Sequence, residues 1–157
     1  MILAFSFAVV CKLRCINWLT IAMAIGIKVG SILDEIGAPS FFHSFFSTIS
    51  AHADRGRWGS GFPTLFLLYE GRVPAREAAR ALAELREAKE IPSKLSPAAA
   101  VWDIASRSAQ PPWGTNISPD ITSLGSYFVS STGRDLFALL EEALGAAEQE
   151  CQDAIVE

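Results

Sequence analysis

Apolar and polar residues alternate from the first readable element onward. Ile25, Ile27 and Val29 are interleaved with Gly26, Lys28 and Gly30, the period of two expected of a half-buried strand, and the pattern predicts one strand over Ala24–Leu33. Gly37-Ala38-Pro39 interrupts it. Ser40 is then placed to cap a helix in which Phe42, Phe45, Phe46 and Ile49 recur at i, i+3, i+4 and i+7, the most aromatic face in the chain. Ala53–Gly61, with Gly56, Gly59 and a charged Asp54-Arg55-Gly56-Arg57 run, reads as a loop that carries Trp58. Pro63–Glu70 has the Pro and Gly71 punctuation of a short helix, but its Leu65–Tyr69 run suits a buried strand equally well.

A longer helix is predicted over Pro74–Ile91, with Ala75, Ala78, Leu82 and Leu85 as a narrow apolar stripe and Arg80/Glu84 and Arg86/Glu90 spaced four apart on its wet sides. Pro92 stops it. Ala98–Ile104 reads as a second strand and Tyr127–Ser130 as a third, with a brief turn from Ser118 to Leu124 between them. Gln110-Pro111-Pro112-Trp113-Gly114 is too stiff for helix and forms a rigid aromatic turn. Thr132 and Asp135 resemble a capping box ahead of a helix over Gly133–Glu148, whose Leu136, Leu139, Leu140, Ala143, Leu144 and Ala147 share one face. Residues 151–157 read as a frayed tail. The expected architecture is α+β: a single domain over residues 23–150, with a small, about three-stranded sheet and helices packed on one side.

Residues 1–22 are apolar yet fit no targeting template, because Lys12 and Arg14 follow the apolar run instead of preceding it. They also interrupt what would be a membrane span. The segment reads as an extension with Met23 as the true start; a genuine segment would make a membrane-associating helix the alternative. The formal charge is −4, and without residues 1–22 it is −6, from 11 basic against 17 acidic groups. That balance argues against a nucleic-acid partner. Cys11, Cys15 and Cys151 support neither a zinc site nor a disulfide framework, which points to a reducing cytoplasm.

Candidate chemistry is sparse. His43 and His52 are nine residues apart on one helix and face opposite ways, so they cannot share a metal. His43 and Ser47 could be drawn as base and nucleophile, with Asp103 brought in by folding, although no oxyanion hole is visible. Asp34 and Glu35 are adjacent and on a strand point to opposite faces. No phosphate-cradling glycine loop occurs, and no cofactor or metal is implied.

Several short motifs nevertheless stand in a telling order. They are Ile27-Lys28-Val29-Gly30-Ser31, Glu35-Ile36-Gly37, His43-Ser44-Phe45-Phe46-Ser47-Thr48-Ile49, Trp58-Gly59-Ser60, Val101-Trp102-Asp103-Ile104, Gln110 through Ile117, Tyr127-Phe128-Val129 and Gly133-Arg134-Asp135-Leu136-Phe137. This ordered set resembles the immunity protein 70 family of bacterial polymorphic toxin systems, over roughly Ala24 to Ala147. The resemblance implies a non-catalytic cytoplasmic protein that binds and blocks a cognate secreted toxin, and it favours the helical reading of Pro63–Glu70. It transfers no binding residues. Residue type and loop position nominate Trp58 and Trp113 as aromatic anchors, and Asp34, Glu35, Asp103 and Asp120 as charge partners. For Trp113, packing onto the sheet is an equally good account. The competing readings are a small hydrolase-like enzyme using His43, Ser47 and Asp103, and a membrane-tethered interaction module.

Overall fold

The computed structural model describes residues 23–157; the apolar extension 1–22, and every expectation attached to it, lies outside them. The alternation that begins at Ile25 belongs to a hairpin. Strand β1 (Ile25–Val29) turns at Gly30-Ser31 and returns as β2 (Ile32–Gly37), antiparallel to it. Gly30 takes φ 57° at the first central turn position, a hairpin geometry that glycine adopts without strain. The single strand expected over Ala24–Leu33 is therefore two, divided at a Gly-Ser signal that the continuous apolar pattern had masked.

Pro39 opens helix α1 (Pro39–His52) at its first turn, so the cap position falls to Ala38, two residues before the expected Ser40. Its Phe42, Phe45, Phe46 and Ile49 are all buried, as their spacing requires. Phe45 meets Phe128 and Phe137 edge-on, at 5.3 and 4.8 Å between centroids. A 3-10 turn over Leu65–Leu68 resolves the ambiguous run as helical. Strand β3 (Arg72–Val73) follows, and then helix α2 (Ala78–Lys89). Helix α3 (Leu136–Glu150) buries all six residues of its expected stripe.

Three boundaries differ from the sequence reading. The cap of α3 is Asp135, whose Oδ1 accepts the Ala138 N–H at 2.8 Å, while the Thr132 hydroxyl meets Ser130 instead. Tyr127–Ser130 makes only one isolated bridge, Val129 to Asp135, within a local turn. Ala98–Ile104 is no strand either. The Val101 N–H is accepted by Thr48 Oγ1, and the Val101 carbonyl accepts from both the Ser44 and Thr48 hydroxyls, so helix side chains satisfy backbone that would otherwise need a sheet.

The strand that completes the sheet comes from the expected frayed tail. After α3, Cys151 adopts a left-handed φ of 51°, and β4 (Ala154–Val156) inserts between β1 and β3. The result is a four-stranded antiparallel sheet in the order β2-β1-β4-β3. Val29, Ala154 and Val73 form a cross-strand row buried under the helices. The neighbouring row of Leu33, Lys28, Ile155 and Arg72 lies on the opposite, open face. The class is α+β, a four-stranded antiparallel sheet with three α-helices among the described residues.

Candidate functional site

Helix α1 has two working faces. One is the phenylalanine face already described; the other carries Ser44, Ser47 and Thr48 against residues 101–104. His43 sits at the edge of that second face, half-buried, where three other segments reach it.

The first is the loop after α1. The buried Asp54 carboxylate holds it in shape, accepting the Gly61 N–H at 2.9 Å and pairing with Arg57 at 3.2 Å. Gly59 lies in the left-handed region at φ 74°, directly over the Phe66 ring; a Cβ there would fall 2.6 Å from Phe66 Cγ. Only glycine permits this approach. The turn lays the Trp58 indole edge-on against Phe66 and Tyr69, at 5.2 and 5.0 Å, and 5.7 Å from the His43 ring. The second segment ends the 3-10 turn at Tyr69, whose hydroxyl is 2.9 Å from His43 Nδ1. The third supplies Asp103. Its Oδ1 accepts the Ala105 N–H at 2.9 Å and stands 3.2 Å from His43 Nε2.

These contacts set the charges. The hydrogen bond from His43, reinforced by the Ala105 N–H, holds the Asp103 carboxyl below its ordinary range and keeps it ionised. Burial pushes the Tyr69 hydroxyl up, and the Asp103 charge adds to the effect, so the phenol keeps its proton. With its ring proton on Nε2, His43 donates to Asp103 and accepts from Tyr69 at Nδ1.

Folding thus brings His43, Ser47 and Asp103 together, but not as a proton relay. A nucleophile and an orienting acid must occupy opposite nitrogens of the imidazole. Here Ser47 Oγ, at 3.3 Å, and Asp103 compete for the same Nε2, and Tyr69 holds the other nitrogen. Ser47 is also fully buried and accepts the Ile104 N–H. What results is a fixed imidazole at the foot of an aromatic wall. His52 lies apart, bonded to the Ala99 carbonyl. Among the described residues no group of His, Cys, Asp or Glu side chains could hold a metal ion.

The remaining nominated residues go elsewhere. Trp113 stands edge-on to Trp102 at 5.4 Å and donates from Nε1 to the Tyr127 hydroxyl at 3.1 Å. It is 40% exposed and walls an open groove of about 340 Å³ together with Phe41, Ile117, Tyr127 and Val129. Asp34 is spent on Arg134, which also binds Glu142. Glu35 accepts from the Ser131 hydroxyl, and Asp120 bonds within its own turn to Ser118. Of the six nominated residues, only Trp58 and Asp103 reach the His43 ring. Tyr69 was not nominated, because an aromatic ending an apolar run carries no signal that it faces outward.

Residues 27–156 match the family described as Immunity protein 70, from the third residue of β1 to the last of β4. No curated protein and no solved structure matches the chain.

Proposed function

The chain belongs to the immunity protein 70 family, and from that premise we propose that it binds a cognate secreted bacterial toxin and neutralises it by covering its surface, in the cytoplasm of the cell that makes both. The observation that carries this reading is the extent of the match: it spans the whole folded unit, including the C-terminal strand without which the sheet is incomplete. Such a protein needs a preformed surface with a few aromatic anchors inside a polar rim. Trp58 and Trp113, each about two-fifths exposed on a braced loop, supply that residue type on two separate surfaces.

The convergence of His43 with Asp103 favours the hydrolase reading, and the shared Nε2 and the burial of Ser47 weigh against it. No helix among the described residues is long and apolar enough to cross a membrane. The test is co-expression with the toxin module expected at the C-terminus of a large secreted protein encoded immediately upstream. Rescue of growth, with co-purification of the pair, is the expected result. Equal toxin sensitivity of cells with and without this gene would rule the protective role out.

A further inference from the structure

Trp58, Tyr69 and His43 form a corner. The Trp58 and Tyr69 planes cross at 83°, with the His43 ring 5.7 Å from both. Two large rings left 42% and 39% exposed in mutual contact are costly to keep wet, unless something covers them. Asp103 lies at the foot of the corner, its side chain one-third exposed.

The ion pairs set this carboxylate apart from many others in the chain. Asp34, Asp54, Glu84, Glu141 and Asp153 each face an arginine within the chain. Asp103 faces an imidazole in place of an arginine or lysine, and its Oδ1 accepts from His43 and from the Ala105 N–H. An ionised carboxylate without an arginine or lysine partner, near exposed aromatic rings of negative quadrupole, is complementary to a positive group. A partner's aliphatic side chain would bury the carboxylate uncompensated, and an acidic one would be repelled.

We infer that this corner is the seat of a cationic side chain, an arginine or a lysine, projecting from the toxin. The inference rests on the protective role proposed above and specifies its contact. The cation lies against the Trp58 and Tyr69 rings with its charge toward the Asp103 carboxylate. His43, held at both nitrogens, positions the carboxylate and touches no partner atom in this arrangement.

The experiment measures the Kd of the toxin module for the unaltered chain and for Asp103→Asn, Trp58→Ala and Trp113→Ala, each checked by far-UV circular dichroism to be fully folded under the conditions of the binding assay. Asparagine retains an oxygen for the Ala105 N–H, so the loop keeps its shape. Asp103→Asn should weaken binding at least about tenfold, and Trp58→Ala by roughly 3- to 30-fold. The effect of Asp103→Asn should shrink as salt is raised. Replacing the toxin's exposed arginines and lysines by glutamine, one at a time, should then uncover one whose loss is not additive with Asp103→Asn. Two corner variants within twofold of the unaltered chain would overturn the inference, as would a loss of affinity to which no toxin cation is coupled. Failure of the unaltered chain to bind the toxin would instead count against the protective role.

Discussion

Ending the chain at Gln152 should cost a large part of its stability, although the deleted stretch is short, terminal and reads as part of a frayed tail. The deletion removes β4. Three backbone hydrogen bonds that flank its ladder are lost: Val156 N–H to the Gly71 carbonyl at 2.8 Å, and the reciprocal pair between Gly26 and Glu157 at 2.8 and 3.0 Å. Each is worth about 0.5–1.5 kcal/mol net. The fully buried Ala154 methyl adds about 0.8 kcal/mol. Beyond this, β3 loses the partner that makes it a strand, and Ala75 loses the Asp153 oxygen that accepts its N–H. The expected loss is about 2–5 kcal/mol, against a total of about 5–15 kcal/mol for an ordinary domain. In urea this corresponds to a midpoint lowered by about 1–2 M, followed by far-UV circular dichroism. Val156→Pro, which removes one of the three donors without shortening the chain, should move the midpoint in the same direction by less. If the shortened chain unfolds within about 0.3 M of the full one, these residues are the loose end that the sequence suggested, and the four-stranded sheet is wrong.

Other consequences are as open to measurement. Glu84, on the inner side of α2, accepts the buried Thr64 and Leu65 N–H groups through one oxygen at 2.8 and 2.7 Å. Glu84→Ala should therefore destabilise by about 2–5 kcal/mol, and Glu84→Gln, which keeps an acceptor, by about 1 kcal/mol; equal losses in urea unfolding would discredit the cap. Gly59→Ala forces a Cβ onto Phe66 at a left-handed φ and should cost about 1–3 kcal/mol; an unchanged midpoint would refute the close approach. Asp103 is held below its ordinary range when folded, so as pH falls the unfolded chain takes up that proton first. Its contribution is present above about pH 4 and fades as acid titrates the folded form. Asp103→Asn should flatten the acid limb of stability measured by urea midpoints, and an identical limb in both proteins would contradict the His43 contact.

Periodicity alone located all three helices, because a face buried at 3.6-residue spacing leaves its mark wherever the helix packs: Phe42, Phe45, Phe46 and Ile49 on α1, and the leucine stripe of α3. The order of motifs likewise identified the family that the match over residues 27–156 establishes. Strands were less legible. Ala154–Val156 is too short for alternation to register, and its place beside β1 depends on α3 returning the chain to that edge. Val101 and its neighbours show the reverse case, residues of strand-like composition whose backbone is satisfied by Ser44 and Thr48 hydroxyls. The corner at His43 was half visible. Trp58 and Asp103 drew attention as residue types, but they lie 45 positions apart in the chain, and local pattern carries no information about contacts made across that distance. The amino-acid order by itself determined the helices, the class of fold and the family. Only the tertiary structure decided which strands join, that Asp34, Glu35 and Asp120 are already engaged within the chain, and that an indole, a phenol, an imidazole and a carboxylate share one surface, because each of those outcomes is a matter of which distant segments share the same few ångströms.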